Sequence, residues 1–433
     1  MEPIYSRFGL VHCDSRFGVS LVAHESYHCS GSNSELQISS SNTILRSAKG
    51  EPVLAATLVE PGRYELREYP LPEPEPGCVL VKMELSGICG TDKHTYQGYT
   101  TQYSGAGEGK KIPFPIIQGH ENVGSVAAIG GDGQYNDFEG VPLQVGDRIV
   151  VGANVFCGKC YYCTHDFPYY FCQNMTDYGN NLSAADPPHI FGGWSEYIYI
   201  VPGSFLVRVP DELPSDVAVL TEVMAVTVGL DRAKQMSAFP SEAFLFDDTV
   251  VVLGVGPLGM CFLMKARMLG AGTIVAVDLS DYRLSFAKRL GADHLINAAK
   301  TSLAERLDVV RQLTHGRGAD MVIECAGVPQ AVPEALEVLR LGGLLVEAGN
   351  FSDLGEVGIN PHRHLCAKSV RILGVGGEEP ASYGPSMRQM ARYMHHYPLG
   401  EFVSHRYPLR KVEEAVHKSI APDSMKVVIE PWA

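Results

Sequence analysis

The sequence predicts an α/β protein in two parts, a small irregular β barrel followed by a doubly wound parallel-sheet domain. Three observations carry that prediction. From Val53 to about Val217 short β-rich runs (VLAATLV, CVLVKMEL, VGSVAAIG, DRIVVGANV, WSEYIYIV, FLVRVP) are broken by Gly and Pro, the pattern of many short strands joined by turns. From about Glu222 the apolar runs TVVVL, TIVAVD, DMVIECAG and GLLVEAG follow one another, with helical segments PLGMCFLMKARMLG and SDYRLSFAKRLGA between the first of them. Such runs suit a parallel sheet buried on both faces. The 433 residues, 45% of them hydrophobic, supply more than one ordinary core.

The chain divides accordingly. Residues 1–50 are Ser-rich (SGSNSELQISSSN) and lack periodicity, which predicts a flexible N-terminal extension. Residues 51–220 form the β-rich domain, with polar Gly-rich surface loops at 98–111 and 130–144, and residues 221–385 form the strand–helix domain. The tail 386–433 ends in a helix, LRKVEEAVHKSI, and a strand, MKVVIEP, too little to fold alone. It is expected to return to the first domain.

Charge and hydropathy narrow the partners. Lys and Arg number 35 against 49 Asp and Glu, a net charge of −14, which disfavours nucleic acid and anionic membrane. No apolar stretch reaches the roughly 20 residues of a bilayer helix, and the start MEPIYSRFGLVHCDSR lacks the order of a secretory signal. A cytoplasmic, enzyme-like protein is the expectation.

Cys157, Cys160, Cys163 and Cys172 fall within sixteen residues. Disulfides between such near neighbours strain S–S geometry, whereas short-spaced thiolates wrap one tetrahedral ion. This predicts a metal, and reduced thiols at Cys13, Cys29, Cys78, Cys261, Cys325 and Cys366.

The run TVVVL ends in Gly254-Val-Gly256-Pro257-Leu258-Gly259 and enters a helix. Gly254 makes the tight turn, Gly256 admits a pyrophosphate, Gly259 lets helix and strand pack, and the helix N-terminus faces the phosphates. Asp278, at the end of the next strand, accepts hydrogen bonds from the adenosine ribose and repels a 2′-phosphate, so NAD is favoured over NADP, with nearby Arg283 as the countervailing cation. Further upstream, GICGTDKH contributes Cys89 and GHE contributes His120, a thiolate and an imidazole of the kind zinc takes in open catalytic sites.

Taken in order, GICGTDKH, GHENVG, CGKCYYC with its later Cys, and GVGPLG followed by VDLS make the chain resemble the zinc-containing alcohol and polyol dehydrogenases of the medium-chain dehydrogenase/reductase superfamily, from residue 53 to the C-terminus. The resemblance implies a GroES-like catalytic domain, a Rossmann cofactor domain, and an active site between them. It implies Cys89 and His120 as catalytic zinc ligands, with Glu121 adjacent or able to swing onto the metal. It implies a third ligand at Glu222, in Thr221-Glu222-Val223-Met224-Ala225, without the family's Pro but with the Glu of sorbitol- and threonine-type enzymes. Thr91 and His94 match the proton relay that runs through the nicotinamide ribose, His94 having a suitable ordinary pKa near 6.5. Asp92 supports the zinc shell from behind. Lys426 matches a cationic position near the cofactor pyrophosphate. The cysteine lobe at 157–172 matches a structural zinc, giving two zinc ions per chain. The interval from Cys89 to His120 is longer than in compact relatives, so loop 98–111 is expected to shape the mouth of the cleft.

The resulting expectation is a homo-oligomeric, dimeric or tetrameric, zinc-dependent enzyme that moves hydride from a small secondary alcohol, a polyol, cyclitol or sugar-like compound, to NAD. Alternatives are an amino-alcohol (threonine-like) dehydrogenase, an aldehyde reductase and, from another class, a catalytically silent NAD-binding sensor or structural protein.

Overall fold

Side chains along Thr249–Leu253 alternate between two apolar clusters: Val250 and Val252 enter one, Val251 and Leu253 the other. The same division holds for Ile274 and Ala276 against Val275 and Val277 on the neighbouring strand. A strand covered on both faces has no polar side to show, which explains the continuous apolar runs of this half. In the computed structural model the residues described are 52–102, 110–165, 167–236 and 244–433. The N-terminal extension 1–50 and the centre of loop 98–111 lie outside them.

Six strands make the parallel sheet, in the order His294–Asn297, Thr273–Asp278, Thr249–Leu253, Ala319–Glu324, Leu339–Glu347 and Arg371–Gly374. Order reverses beside Thr249–Leu253, and ligands of such sheets bind at the C-terminal ends of the strands there. Helix Pro257–Met268 starts at that point with Pro at its first turn. Helices Leu303–Leu313, Ala331–Val338 and Pro380–Tyr393 also belong to this part of the chain.

The other half is built on Val79–Gly87, the centre of a seven-stranded, largely antiparallel sheet. It pairs with Glu121–Ile129, with Tyr197–Ile200 and with the C-terminal strand Lys426–Glu430. A smaller sheet joins Pro52–Glu60 to Arg63–Pro70 and Ile116–Ile117. The architecture is thus a GroES-like β domain with a Rossmann domain. One core cluster runs through both, from Leu85, Val123 and Val150 through Val217 and Met224 to Val250 and Met387, so the walls of the cleft between them share a common packed base. No helix of the described residues is long and apolar enough to cross a membrane.

Candidate active site

A cleft of about 690 Å³ opens between the two sheets, lined on one side by Cys89, Thr91, His94, His120 and Glu121 and on the other by Gly254, Gly256, Pro257 and Asp278. Cys89 precedes helix Gly90–Tyr96, and its backbone N–H donates to Asp92 Oδ2 at 2.8 Å. Asp92 is fully buried, and its other oxygen, without a hydrogen-bond partner, lies 3.8 Å from His120 Nδ1. Asn180 Nδ2 approaches that same nitrogen at 3.4 Å, while Thr91 Oγ1 is 3.5 Å from His120 Nε2. A carboxylate behind one ring nitrogen fixes the imidazole and raises its basicity, leaving the other to face a ligand.

Protonation follows from this packing. Burial works against charge on His120, but Asp92 and then Cys89 outweigh it and hold the imidazole well above its ordinary value. Burial also opposes ionisation of Cys89, yet the His120 charge and hydrogen bond bring the thiol below its ordinary value. The buried Glu222, on helix Thr221–Val226, is pushed well up by burial and then by Glu378. A thiolate, an imidazole and a buried carboxyl with no basic side chain paired to it form a donor set suited to a divalent zinc ion, whose binding displaces protons from such groups.

The cysteine lobe is more tightly closed. The donor atoms of Cys157, Cys160, Cys163 and Cys172 all lie within 4.8 Å of one another, with 3.5 Å between the sulfurs of Cys160 and Cys163. Cys89, His120 and Glu222 share the cleft without meeting that distance as a group. Backbone N–H groups, Lys159 foremost, lower the Cys157 thiol to about 6, while burial and its cysteine neighbours push Cys163 up to about 12. Amides that favour thiolate, beside a thiol that resists further negative charge, suit a cation held by four sulfurs. All nine described cysteines are free of disulfides.

The glycine turn has the geometry a dinucleotide needs. Gly254 has φ +80°, and a Cβ there would stand 2.5 Å from the Ala326 backbone. A Cβ at Gly259 would sit 1.9 Å from the Gly254 carbonyl, whereas one at Gly256 meets nothing within 4 Å and points into open space at the start of the helix. Backbone N–H groups and the helix dipole are therefore presented where a pyrophosphate fits. Asp278 accepts from Val255 N at 2.9 Å and from Ser280 N at 2.8 Å, and so ties the turn to the end of its own strand.

Three of the expected site residues have surroundings that bear on their roles. Lys426 does not direct its ammonium at the glycine turn. Its strand pairs Val428 with Gly87, which also pairs with Glu121, and this register brings Nζ to within 2.5 Å of both Glu121 oxygens. Glu121, which also lines the cleft, is thereby paired with Lys426. Arg283 lines the cleft, with its Nε donating to the carbonyl of Ser424 at 3.1 Å and its Nη2 to that of Ala421 at 3.4 Å. His94 is lowered to about 4 by burial and then by Lys93, so it is neutral at pH 7 and a weaker proton acceptor than an ordinary histidine. Its Nδ1 is buried without a partner.

Several residues of the cleft carry no motif in the sequence. Asn154, Asp177, Asn180 and Glu378 all line it and are buried. In the Glu378-Glu379 pair one carboxylate turns inward while the other meets Arg232 at 2.7 Å, a choice made by tertiary packing. Lys93, inside the GICGTDKH run, also lines the cleft.

Residues 75–211 match the alcohol dehydrogenase GroES-like domain, and residues 257–392 match the zinc-binding dehydrogenase family. A 5-exo-hydroxycamphor dehydrogenase of Pseudomonas putida is 32% identical over 87% of this chain and 98% of its own. An L-threonine 3-dehydrogenase of Pyrococcus horikoshii is 30% identical over 87% and 98%. The crystal structure of an alcohol dehydrogenase from Thermotoga maritima superposes with a TM-score of 0.78 at 28% identity, covering 88% of this chain and all of that one.

Proposed function

Because the chain belongs to the zinc-containing alcohol dehydrogenases of the medium-chain dehydrogenase/reductase superfamily, we propose that it oxidises a small secondary alcohol, of polyol, cyclitol or sugar-like type, with NAD as hydride acceptor. The single observation that supports this reading best is the shared cleft, in which Cys89, His120 and Glu222 face the turn Gly254–Gly259 and Asp278. The carbinol carbons named by the hydroxycamphor and threonine enzymes are both secondary.

In this reading Cys89, His120 and Glu222 hold one zinc ion and the four lobe cysteines a second, structural one. Bound zinc would supply Lewis acidity that favours the alkoxide, and bound NAD would supply the hydride acceptor. The chain's own residues do the rest. Asp92 and Asn180 fix the His120 ring from behind. Thr91, 3.5 Å from His120 Nε2, takes the carbinol proton, and His94, neutral at pH 7, stands on the same helix to receive it. As the proton and hydride leave, the carbinol becomes a ketone.

An amino alcohol is the second reading, favoured by the threonine-enzyme relative at 30% identity. A screen for NADH formation across polyols, cyclitols, sugars and hydroxy amino acids tests both, with Cys89→Ala as the control. Turnover with NAD and a secondary alcohol, lost in Cys89→Ala while NADH binding persists, is the expected result. Undiminished turnover in Cys89→Ala removes the site assignment.

A further inference from the structure

Deeper in the cleft than Cys89, the wall consists of Asn154, Asp177, Asn180, Glu222 and Glu378, none more than 8% exposed. Its donors are already engaged. Asn154 Nδ2 donates to Glu378 Oε1 at 2.6 Å and to the Tyr169 hydroxyl at 3.3 Å, and Asn180 Nδ2 donates to Asp177 Oδ2 at 2.9 Å. The buried oxygens Asn154 Oδ1, Asp177 Oδ1 and Asn180 Oδ1 have no partner. What the wall has left to offer is hydrogen-bond acceptors.

Charge points the same way. Three basic residues of the cleft are engaged elsewhere, Lys426 with Glu121, Arg306 with Glu334 at 2.6 Å, and Arg283 with backbone carbonyls, while Lys93 lines the cleft from the Cys89 side. Glu378 forms no ion pair among the described residues. It sits between strand Arg371–Gly374 and helix Pro380–Tyr393, and its Oε1 takes hydrogen bonds from Asn154 and, at 3.1 Å, from the Tyr383 hydroxyl. The Tyr169 hydroxyl is raised well above its ordinary value by burial, then by the charge of Glu378 and a hydrogen bond to it. Neutral donors thus fix the side chain without cancelling its charge, and a carboxylate has about four acceptor sites. A buried carboxylate held this way gains most from a donor brought by the ligand.

We propose that Glu378 determines substrate specificity by accepting a hydrogen bond from a second donor group on the substrate, a hydroxyl or an ammonium beside the reacting carbinol, and by excluding substrates that carry a carboxylate or phosphate there. The inference rests on the alcohol dehydrogenase reading above and deepens it. Glu222 and Asp177 line the same cleft as Glu378 and are buried with it. An anionic group brought against Glu378 meets like charge and unpaired acceptor oxygens, and a polyol or amino alcohol meets a partner.

The test compares kcat/KM at saturating NAD for 2-butanol, 2,3-butanediol, 3-amino-2-butanol and 3-hydroxybutyrate. In the wild type the diol or the amino alcohol should exceed 2-butanol by about tenfold or more, as expected for a hydrogen bond to a buried charged group. The hydroxy acid should rank last, and the diol and amine arms identify which donor is preferred. Glu378→Leu should collapse the ratio of donor-bearing substrate to 2-butanol by about tenfold, and Glu378→Gln should narrow the gap between the hydroxy acid and the diol. A wild type that turns over 3-hydroxybutyrate as well as the diol overturns the inference without recourse to any variant. A ratio unmoved in Glu378→Leu overturns it too, while turnover of the alcohols leaves the dehydrogenase reading standing. No NADH from any alcohol in this series or the wider screen overturns both.

Discussion

The ammonium of Lys426 and the carboxylate of Glu121 lie 2.5 Å apart with side chains 1% and 0% exposed. Burial alone would lower the lysine, but Glu121 outweighs it and Lys426 is held above its ordinary value. The pair joins the C-terminal strand to the strand that follows His120, so the tail of the chain braces one wall of the cleft.

Removing one partner leaves the other buried without its counter-charge. Lys426→Met should therefore lower unfolding free energy by about 3–5 kcal/mol, whereas the double change Glu121→Gln with Lys426→Met should recover much of that loss. Denaturant titration of the three proteins measures the difference. Equal stability of wild type and Lys426→Met would show that the ion pair does not hold the strands together.

The parts of this site that could be read from sequence are those fixed by local backbone geometry. Gly254, Gly256 and Gly259 are legible because a side chain at the first and third collides with backbone and one at the second intrudes on the pyrophosphate space. The cysteine lobe is legible because its spacing alone permits one tetrahedral ion. The Lys426–Glu121 pair is not legible for the opposite reason: the two residues are 305 positions apart, and only sheet register brings them together. Glu378, Asp177 and Asn180 have no motif because two segments about 200 residues apart in sequence, 177–180 and the one holding Glu378, meet at the cleft. The helices Leu303–Leu313 and Pro380–Tyr393 are less legible than the strands beside them, the latter containing Pro385 within its length.

Cys160→Ser should act on stability and leave chemistry in the folded fraction. The four sulfurs enclose a space without an open coordination position, and losing one weakens a metal that holds the loop. Zinc content should fall from about two per chain to about one, with a thermal midpoint several degrees lower and faster proteolysis in 157–172. Lost turnover at unchanged stability would contradict a structural role.

Glu324 and Glu347 stand side by side at the ends of adjacent parallel strands, and burial followed by the Glu347 charge raises Glu324 to about 8. The folded chain thus keeps a proton that the unfolded chain releases above about 4.5, so this group's contribution to stability falls as pH rises from there to about 8. Glu324→Gln removes that titration, and Asn350, whose buried Oδ1 has no partner, can turn its amide to accept from the new donor. Denaturation midpoints between pH 5 and 9 should decline less steeply in the variant. Parallel pH profiles would show that Glu324 is ionised throughout.

Cofactor choice rests on Asp278. Its carboxylate ties the glycine turn through Val255 N and Ser280 N, and the same group faces the cleft where an adenosine ribose meets the end of the strand. Ribose hydroxyls donate to it, whereas a 2′-phosphate would bring a second negative charge against it and forfeit those bonds. Asp278→Ser keeps one short acceptor for the turn and removes the charge, so the NADP-to-NAD ratio of kcat/KM should rise by about tenfold or more. That rise should come from lost NAD affinity and relieved repulsion, with Arg283, which lines the cleft and whose charge no carboxylate pairs among the described residues, as a cation for the phosphate. Asp278→Ser combined with Arg283→Ala should accordingly shift the ratio less than Asp278→Ser by itself. A wild type that uses both cofactors equally, or a ratio unmoved by Asp278→Ser, would show that another group receives the ribose.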